Sequence, residues 1–515
     1  MLPQAVMGRV MVNGWLIFGL FVACVGVATI PIFSDRYLSI NDYLNHLARG
    51  AVLLNYHRNP AFAQFFAPNW QMLPNLALDL WIVGLGHILP VQIAGKLFIA
   101  AILALMLGGT ICLHRVTFEK WSLWPFLAIV LLYNRLLLVG LLNFLFGVGL
   151  WLFVLSLWIY LRPGQPLIRA SALTVGALAV FFVHLFAFGI LAVTIAAYEL
   201  VVFLSGDRSL RKRLLDLVVG GIPFLPVIAL LVVLSPHSDE STIVRYRDIW
   251  TRILGFAAPI MYDWRVDAAC YLILFTLLAW MVLRRAIRVN WPLSAGVIAL
   301  FALQFCMPNV MMTAEGGDRR IPIPMMLLAI AASDPKKASR QLGLVLGLAT
   351  GTTFALRTIT IQQHWSQDQP AYADTWAALS RIPAGARVAT ALAPDVFDNF
   401  STPMLALSYI PVWNIVPRGG FTQTLFAFST QQPLVLNPEY AALAAATPPV
   451  DIWQAFVVGA GAAACAPASK LISALRGYDY VVFVDRRKFR VCHISLLQPI
   501  VDGRYVQVFR VTPAS

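Results

Sequence analysis

The stretch "SINDYLNHLARG" (39–50) sets an aspartate, an asparagine, a histidine and an arginine within one short segment. On a helix, Asp42, Asn45, His46 and Arg49 fall at i, i+3, i+4 and i+7 and share a face. A carboxylate placed there can take a proton from a hydroxyl or amine. A guanidinium can hold a phosphate by a bidentate fork, which an ammonium cannot copy. Alternatively the segment is an interfacial helix with a solvated face.

The elements that must position this cluster are membrane helices. Of the 515 residues 59% are hydrophobic and 12% charged, where soluble domains carry roughly 25% charge. Several apolar stretches reach the about 20 residues a bilayer crossing needs. Basic loops flanking such spans account for the net charge of +14, so the charge does not point to nucleic acid. The first apolar run, 13–33, is too long for a signal-peptide core and lacks a small-residue cleavage site, which makes it an uncleaved anchor. Arg9 before it predicts a cytoplasmic N-terminus.

Five short basic loops read as cytoplasmic: "HRVTFEK" (114–120), "LRPGQPLIR" (161–169), "GDRSLRKR" (206–213), "LRRAIR" (283–288) and "DPKKASR" (334–340). An even number of spans must separate each from the next. That condition makes "LPNLALDLWIVGLGHILP" (73–90) an amphipathic helix in the outer interface rather than a span. The spans are then 13–33, 91–113, 121–137, 139–160, 168–184, 187–205, 214–235, 267–283, 291–308, 320–333 and 341–358. The fold class is mainly α: a polytopic bundle of about 11 spans with a small C-terminal α/β domain outside the cytoplasm. The transmembrane domain is 1–358, with a long first outer loop at 34–90, and the outer domain is 359–515. Within the latter, "IPAGARVATAL" (382–392), "YDYVVFVD" (478–485) and "RYVQVFRV" (504–511) read as strands. Cys465 and Cys492 share this domain, as a disulfide or as two separate thiols. No metal-ligand spacing and no nucleotide loop appears, so no cofactor is expected.

With "DYLNHLAR" (42–49) after span one, a long first outer loop, many spans and an outer C-terminal domain, the chain resembles the C-type glycosyltransferase superfold. Those enzymes move a sugar from a polyprenyl-phosphate carrier to an acceptor outside the cytoplasm. The resemblance places the catalytic aspartate on Asp42, the aromatic position on His46 and the basic position on Arg49; Tyr43 stands where many members have Glu. "YNRLLLVGLLNFLFGVGLWL" (133–152), "GGDRRIPIPMMLLAI" (316–330) and "IPAGARV" (382–388) also resemble stretches of bacterial members.

Further candidates lie on the expected outer face. Arg319 and Arg320, beside Asp318 and Glu315, suit a carrier phosphate, or they snorkel or pair with those acids. Arg245 and Arg247 beside Asp248 suit substrate or form a self-paired surface loop. Tyr133, Asn134 and Arg135 at one span end must line a cavity or face water. His184 among aromatics is a packing residue or a ligand contact. Asn69, Trp70 and Asn75 offer amide and aromatic contacts to a sugar, or cap the interfacial helix, and Asp79 offers an acceptor contact.

The sequence therefore predicts an inverting glycosyltransferase of a bacterial inner membrane, with Asp42 as general base. Its partners are the bilayer, a polyprenyl-phosphate-linked sugar donor and an acceptor that is a glycan, lipid or protein. The rival functions are a transporter or flippase of lipid-linked sugars and a non-catalytic envelope assembly protein. Spans nearly free of charge and without internal repeats weigh against transport.

Overall fold

The computed structural model of the chain describes residues 13–205, 209–234, 244–311, 314–336, 340–394, 406–460 and 465–512. Among these, eight helical segments are long and apolar enough to cross a membrane: Gly14–Ser34, Val91–Phe118, Leu142–Tyr160, Pro166–Val183, Leu185–Ser205, Leu210–Val233, Trp264–Leu283 and Gln341–Leu379. The other three expected spans are shorter. Segment 121–137 breaks into a 3-10 turn, Trp124–Leu131, and a five-residue helix, Arg135–Val139. The break falls at Asn134, whose backbone is extended and whose side chain caps the second helix. Segment 291–308 forms a helix of 16 residues, Trp291–Cys306, and segment 320–333 one of 10, Pro322–Ala331.

Val91–Phe118 and Leu142–Tyr160 run parallel, because their contacts advance together. Phe98 stacks on Phe146 with centroids 4.8 Å apart. Gly109 meets Leu152, and Leu105 meets Gly149. A Cβ on Gly149 would lie 2.5 Å from the Leu105 Cβ and 3.0 Å from its carbonyl carbon, so the two backbones touch. Small residues permit such approaches between membrane helices.

The parallel pair carries loops 114–120 and 161–169 to the same end of the bundle, as the charge pattern required. Asp334 there receives Lys120 at 2.8 Å, Arg288 at 2.7 Å and His114 at 3.4 Å, and Ile287–Val289 pairs antiparallel with Ser333–Pro335. Burial opposes ionisation of Asp334, but the hydrogen bonds from these three hold it down at about 2. Glu199 gathers Arg162, Arg169 at 3.1 Å and the Trp158 indole at 2.9 Å, with Asp216 bound to Arg169 at 3.2 Å.

At the opposite end, helix Arg340–Leu379 continues without a break past residue 358 into the outer domain. Arg357, buried within it, bonds the Ile260 carbonyl at 2.9 Å and pairs with Asp267. The outer domain holds a five-stranded sheet in the order Leu497–Asp502, Val506–Val511, Tyr480–Val484, Arg387–Leu392, Phe421–Thr422. The last three strands are parallel and the first two antiparallel. The three expected strand segments are all present. Cys465 and Cys492 form a disulfide with Cα atoms 5.5 Å apart.

The outer loop and the outer domain interlock. Phe66–Pro68 pairs antiparallel with Leu434–Leu436. The Asn45 amide donates to the Thr424 carbonyl at 2.7 Å and accepts from the Phe426 N–H at 2.8 Å. Helix Ala77–Leu85 buries one face, with Ile82 on Gly50 and Asp79 on Arg49 of the helix Tyr43–Asn55, while Leu80 on its other side is exposed. The close approach along the parallel pair is testable. Gly149→Ala forces the two helices apart and should destabilise the protein by about 1–3 kcal/mol, the usual range for overpacking. A melting temperature equal to wild type would show that the contact yields without strain.

Candidate active site

The site is built where the first outer loop meets the chain before span 142–160. Residues 41 and 42 pair with a neighbouring backbone, Asn41 N–H to Leu138 O at 2.9 Å and Asp42 N–H to Val139 O at 3.0 Å. The helix Tyr43–Asn55 starts from Asp42. Gly140, at φ +105°, presses against that start; a Cβ on it would lie 2.7 Å from the Asp42 Cβ. Only glycine meets both demands, the left-handed conformation and the contact.

Asp42 is half-buried and accepts a hydrogen bond on Oδ1 from the Asn41 amide at 3.0 Å. Burial pushes its carboxyl up to about 7, against the lowering effects of that bond and of the Arg320 charge. Arg320 is 6% exposed, and burial brings it down to about 10 while Asp42 pulls the other way, so it remains a cation at neutral pH. It sits 3.3 Å from His184 Nε2 and over the rings of Phe186 and Phe144, at 4.7 and 5.8 Å. Tyr409 of the outer domain closes another side. Burial raises its hydroxyl, and the Asp42 charge adds to the rise.

The structure thus gathers Asp42, Arg320 and His184 of the residues the sequence singled out. Asp318 and Arg319 lead into Arg320 in the turn Asp318–Arg320. Arg247 reaches Asp318 at 4.0 Å rather than pairing with Asp248, which caps the helix Ile249–Leu254. Arg245 is exposed on a short strand.

Several of the other candidates engage protein partners. Arg49 is not open to a phosphate: its Nε and Nη2 bond both oxygens of Asp79 at 2.8 and 2.9 Å, and both side chains are fully buried. Asp79 is correspondingly closed to an acceptor. His46 Nδ1 lies 3.1 Å from Arg49 Nη2, and its ring meets Phe426 edge-on at 5.7 Å. Burial, then Arg49, holds His46 well below its ordinary value, against a bond to the Gly140 backbone, so it is neutral. Asn45 and Asn69 tie the loop to the outer domain; Asn69 donates to the Ser429 carbonyl at 3.1 Å. Asn75 receives the Asn143 amide at 2.8 Å. Tyr133 bonds the Ala28 carbonyl at 2.7 Å, and Asn134 caps Arg135–Val139; both are buried, so neither faces water. Arg135 is buried and faces Tyr262 and Arg486. Among the described residues no three His, Cys, Asp or Glu side chains are placed to hold an ion.

Sequence reasoning missed Asn41, Gly140 and Tyr409. Asn41 borders Asp42 and was within reach; Gly140 and Tyr409 join the site through tertiary contacts that no local spacing signals.

The architecture is a bundle of apolar, membrane-length helices with a sheet domain that reaches over the carboxylate following the first of them. Two solved structures share it across nearly the whole chain. ArnT from Cupriavidus metallidurans bound to undecaprenyl phosphate is similar with a TM-score of 0.54 at 13% identity, over 97% of this chain and 98% of that one. The apo state of the same ArnT gives 0.53 at 11% identity, over 96% and 97%. No protein-family model and no curated protein sequence matches the chain.

The Arg49–Asp79 pair generates a test. Leaving one buried charge alone costs about 3–5 kcal/mol, whereas replacing both partners by apolar residues is often neutral. Asp79→Leu and Arg49→Met should each lower the melting temperature steeply, and the double variant should recover most of the loss. A double variant no more stable than either single change would rule out a purely structural pair.

Proposed function

We propose that the protein is an integral-membrane glycosyltransferase that moves a sugar from a polyprenyl-phosphate carrier to an acceptor on the extracytoplasmic side of a bacterial inner membrane. The observation that carries the proposal is Asp42, half-buried at the end of span one and poised at about 7, facing the buried cation Arg320. The fold shared with ArnT, solved with undecaprenyl phosphate bound, supports a lipid-linked donor. The gathering of basic loops at the far end of the bundle supports a cytoplasmic N-terminus and an extracytoplasmic sheet domain.

In this mechanism the acceptor's O–H or N–H proton passes to Asp42 as its lone pair attacks the anomeric carbon. The carbon–oxygen bond to the carrier breaks with inversion, and polyprenyl phosphate leaves with the electron pair. Arg320, braced by His184, stabilises the charge that develops on the departing phosphate. Arg320 keeps the phosphate role that the sequence suggested for Arg49 together with Arg319 or Arg320, while Arg49 is engaged by Asp79.

Asp42→Asn keeps the size of the side chain and removes the base. It should leave folding intact and cut turnover of a polyprenyl-phosphate sugar by roughly a hundredfold or more. Because the base must be ionised, wild-type transfer should rise with pH through about 7 and fall away below it. Full activity of Asp42→Asn would remove the assignment.

Arg320→Ala should weaken donor use, raising KM and lowering kcat, and Arg320→Lys should restore only part, since a point charge lacks the planar fork. Wild-type kinetics in the alanine variant would exclude Arg320 from phosphate contact.

A further inference from the structure

We propose that Asn41 is a positioning residue of the site: its amide nitrogen holds one oxygen of Asp42 and leaves the other directed to the acceptor. This builds on Asp42 as the base. Three observations support it. The Asn41 Nδ2 to Asp42 Oδ1 bond is 3.0 Å long, between adjacent residues whose backbones are both pinned to 138–139. Asn41 is only 1% exposed. Its own carbonyl oxygen is buried without a hydrogen-bond partner among the described residues.

The orphaned oxygen shows why the residue is informative. A buried acceptor left unmade destabilises a fold, so an amide kept there calls for a reason. Flipping the amide would set its carbonyl against the carboxylate, two acceptors with no proton between them. The donor must therefore face Asp42, and the orphan follows from that choice. An apolar side chain of similar size would fill the space without the orphan, but it would leave the carboxylate unheld.

The bond does two things. It fixes the carboxylate rotamer, so Oδ2 points consistently. It also favours the charged form in a setting where burial disfavours it, and it acts beside Arg320 in doing so. The other titratable groups at Asp42 are Tyr409 from the outer domain, Arg320 from the turn 318–320 and His46 one helical turn along, and all remain when Asn41 is changed.

The test reads Asp42 directly in the purified full-length protein. Difference infrared spectroscopy during a pH titration follows the protonated carboxyl band that disappears in Asp42→Asn. In wild type its midpoint should lie at about 7. Asn41→Leu removes the donor and should move the midpoint up by about one unit, a tenfold gain in proton affinity. Asn41→Ser, with a donor on a shorter arm, should fall between them and serves if the leucine variant does not fold. The acid limb of sugar transfer should move with the band, with the donor KM unchanged. An unmoved or lowered midpoint in a folded variant overturns the inference. A midpoint that moves in a protein showing no sugar transfer supports the hold of Asn41 and overturns the glycosyltransferase assignment alone.

Discussion

The pairing of Arg49 with Asp79 is the constraint on which the outer half of the structure depends. Neither charge touches water, so neither can be left without the other. The pair locks Ala77–Leu85 against Tyr43–Asn55 and sets the register between them. Arg49 in turn lies against His46, whose neutral ring meets Phe426 and the Gly140 backbone. Gly140 presses on Asp42. A chain of contacts thus runs from a buried ion pair to the carboxylate at the head of the helix, and each link fixes the next.

The outer domain completes this arrangement rather than sitting apart from it. Asn45, one helical turn into the site helix, is gripped on both sides by residues 424 and 426. Phe66–Pro68 extends the grip as a two-stranded ladder. Tyr409 brings the domain to Asp42 itself. A site whose roof and floor are joined by backbone hydrogen bonds keeps its geometry without help from a ligand, which is what preorganised electrostatics demands.

Much of this was legible in the sequence, and the parts that were not share a cause. Hydropathy and loop charge located the eight long spans and the end at which Lys120, Arg162, Arg169 and Arg288 gather, because both signals are local. The strands at 387–392, 480–484 and 506–511 showed in their Val, Phe and Tyr content for the same reason. The segment 121–137 returns the chain between the two parallel helices, but as a 3-10 turn and a short helix, because apolarity alone does not distinguish these from one α-helix. The helical face of Asp42, Asn45, His46 and Arg49 was also correctly drawn. The partners of Asn45, His46 and Arg49 were not, since spacing says which side chains point together and not what meets them. Arg49 met a carboxylate 30 residues away, Asn45 met a carbonyl 379 away, and Arg320 is the cation whose charge reaches Asp42.

The balance at Asp42 shows why the exchange of arginines matters. A guanidinium clamped bidentately on Asp42 would hold the carboxyl low and leave a weak base. Arg49 is that kind of partner, and the fold turns it to Asp79 instead. Arg320 acts on Asp42 only through its charge and a shared burial, with its fork directed partly to His184. Burial therefore prevails, and the carboxyl rests at about 7; for the base of the proposed mechanism, that value leaves it both ionised enough to act and basic enough to take a proton. Under the proposed mechanism a donor phosphate would compete with Asp42 for Arg320. As it draws that charge, the proton affinity of Asp42 rises, so the base is strongest when the donor is in place and the acceptor proton has to be taken.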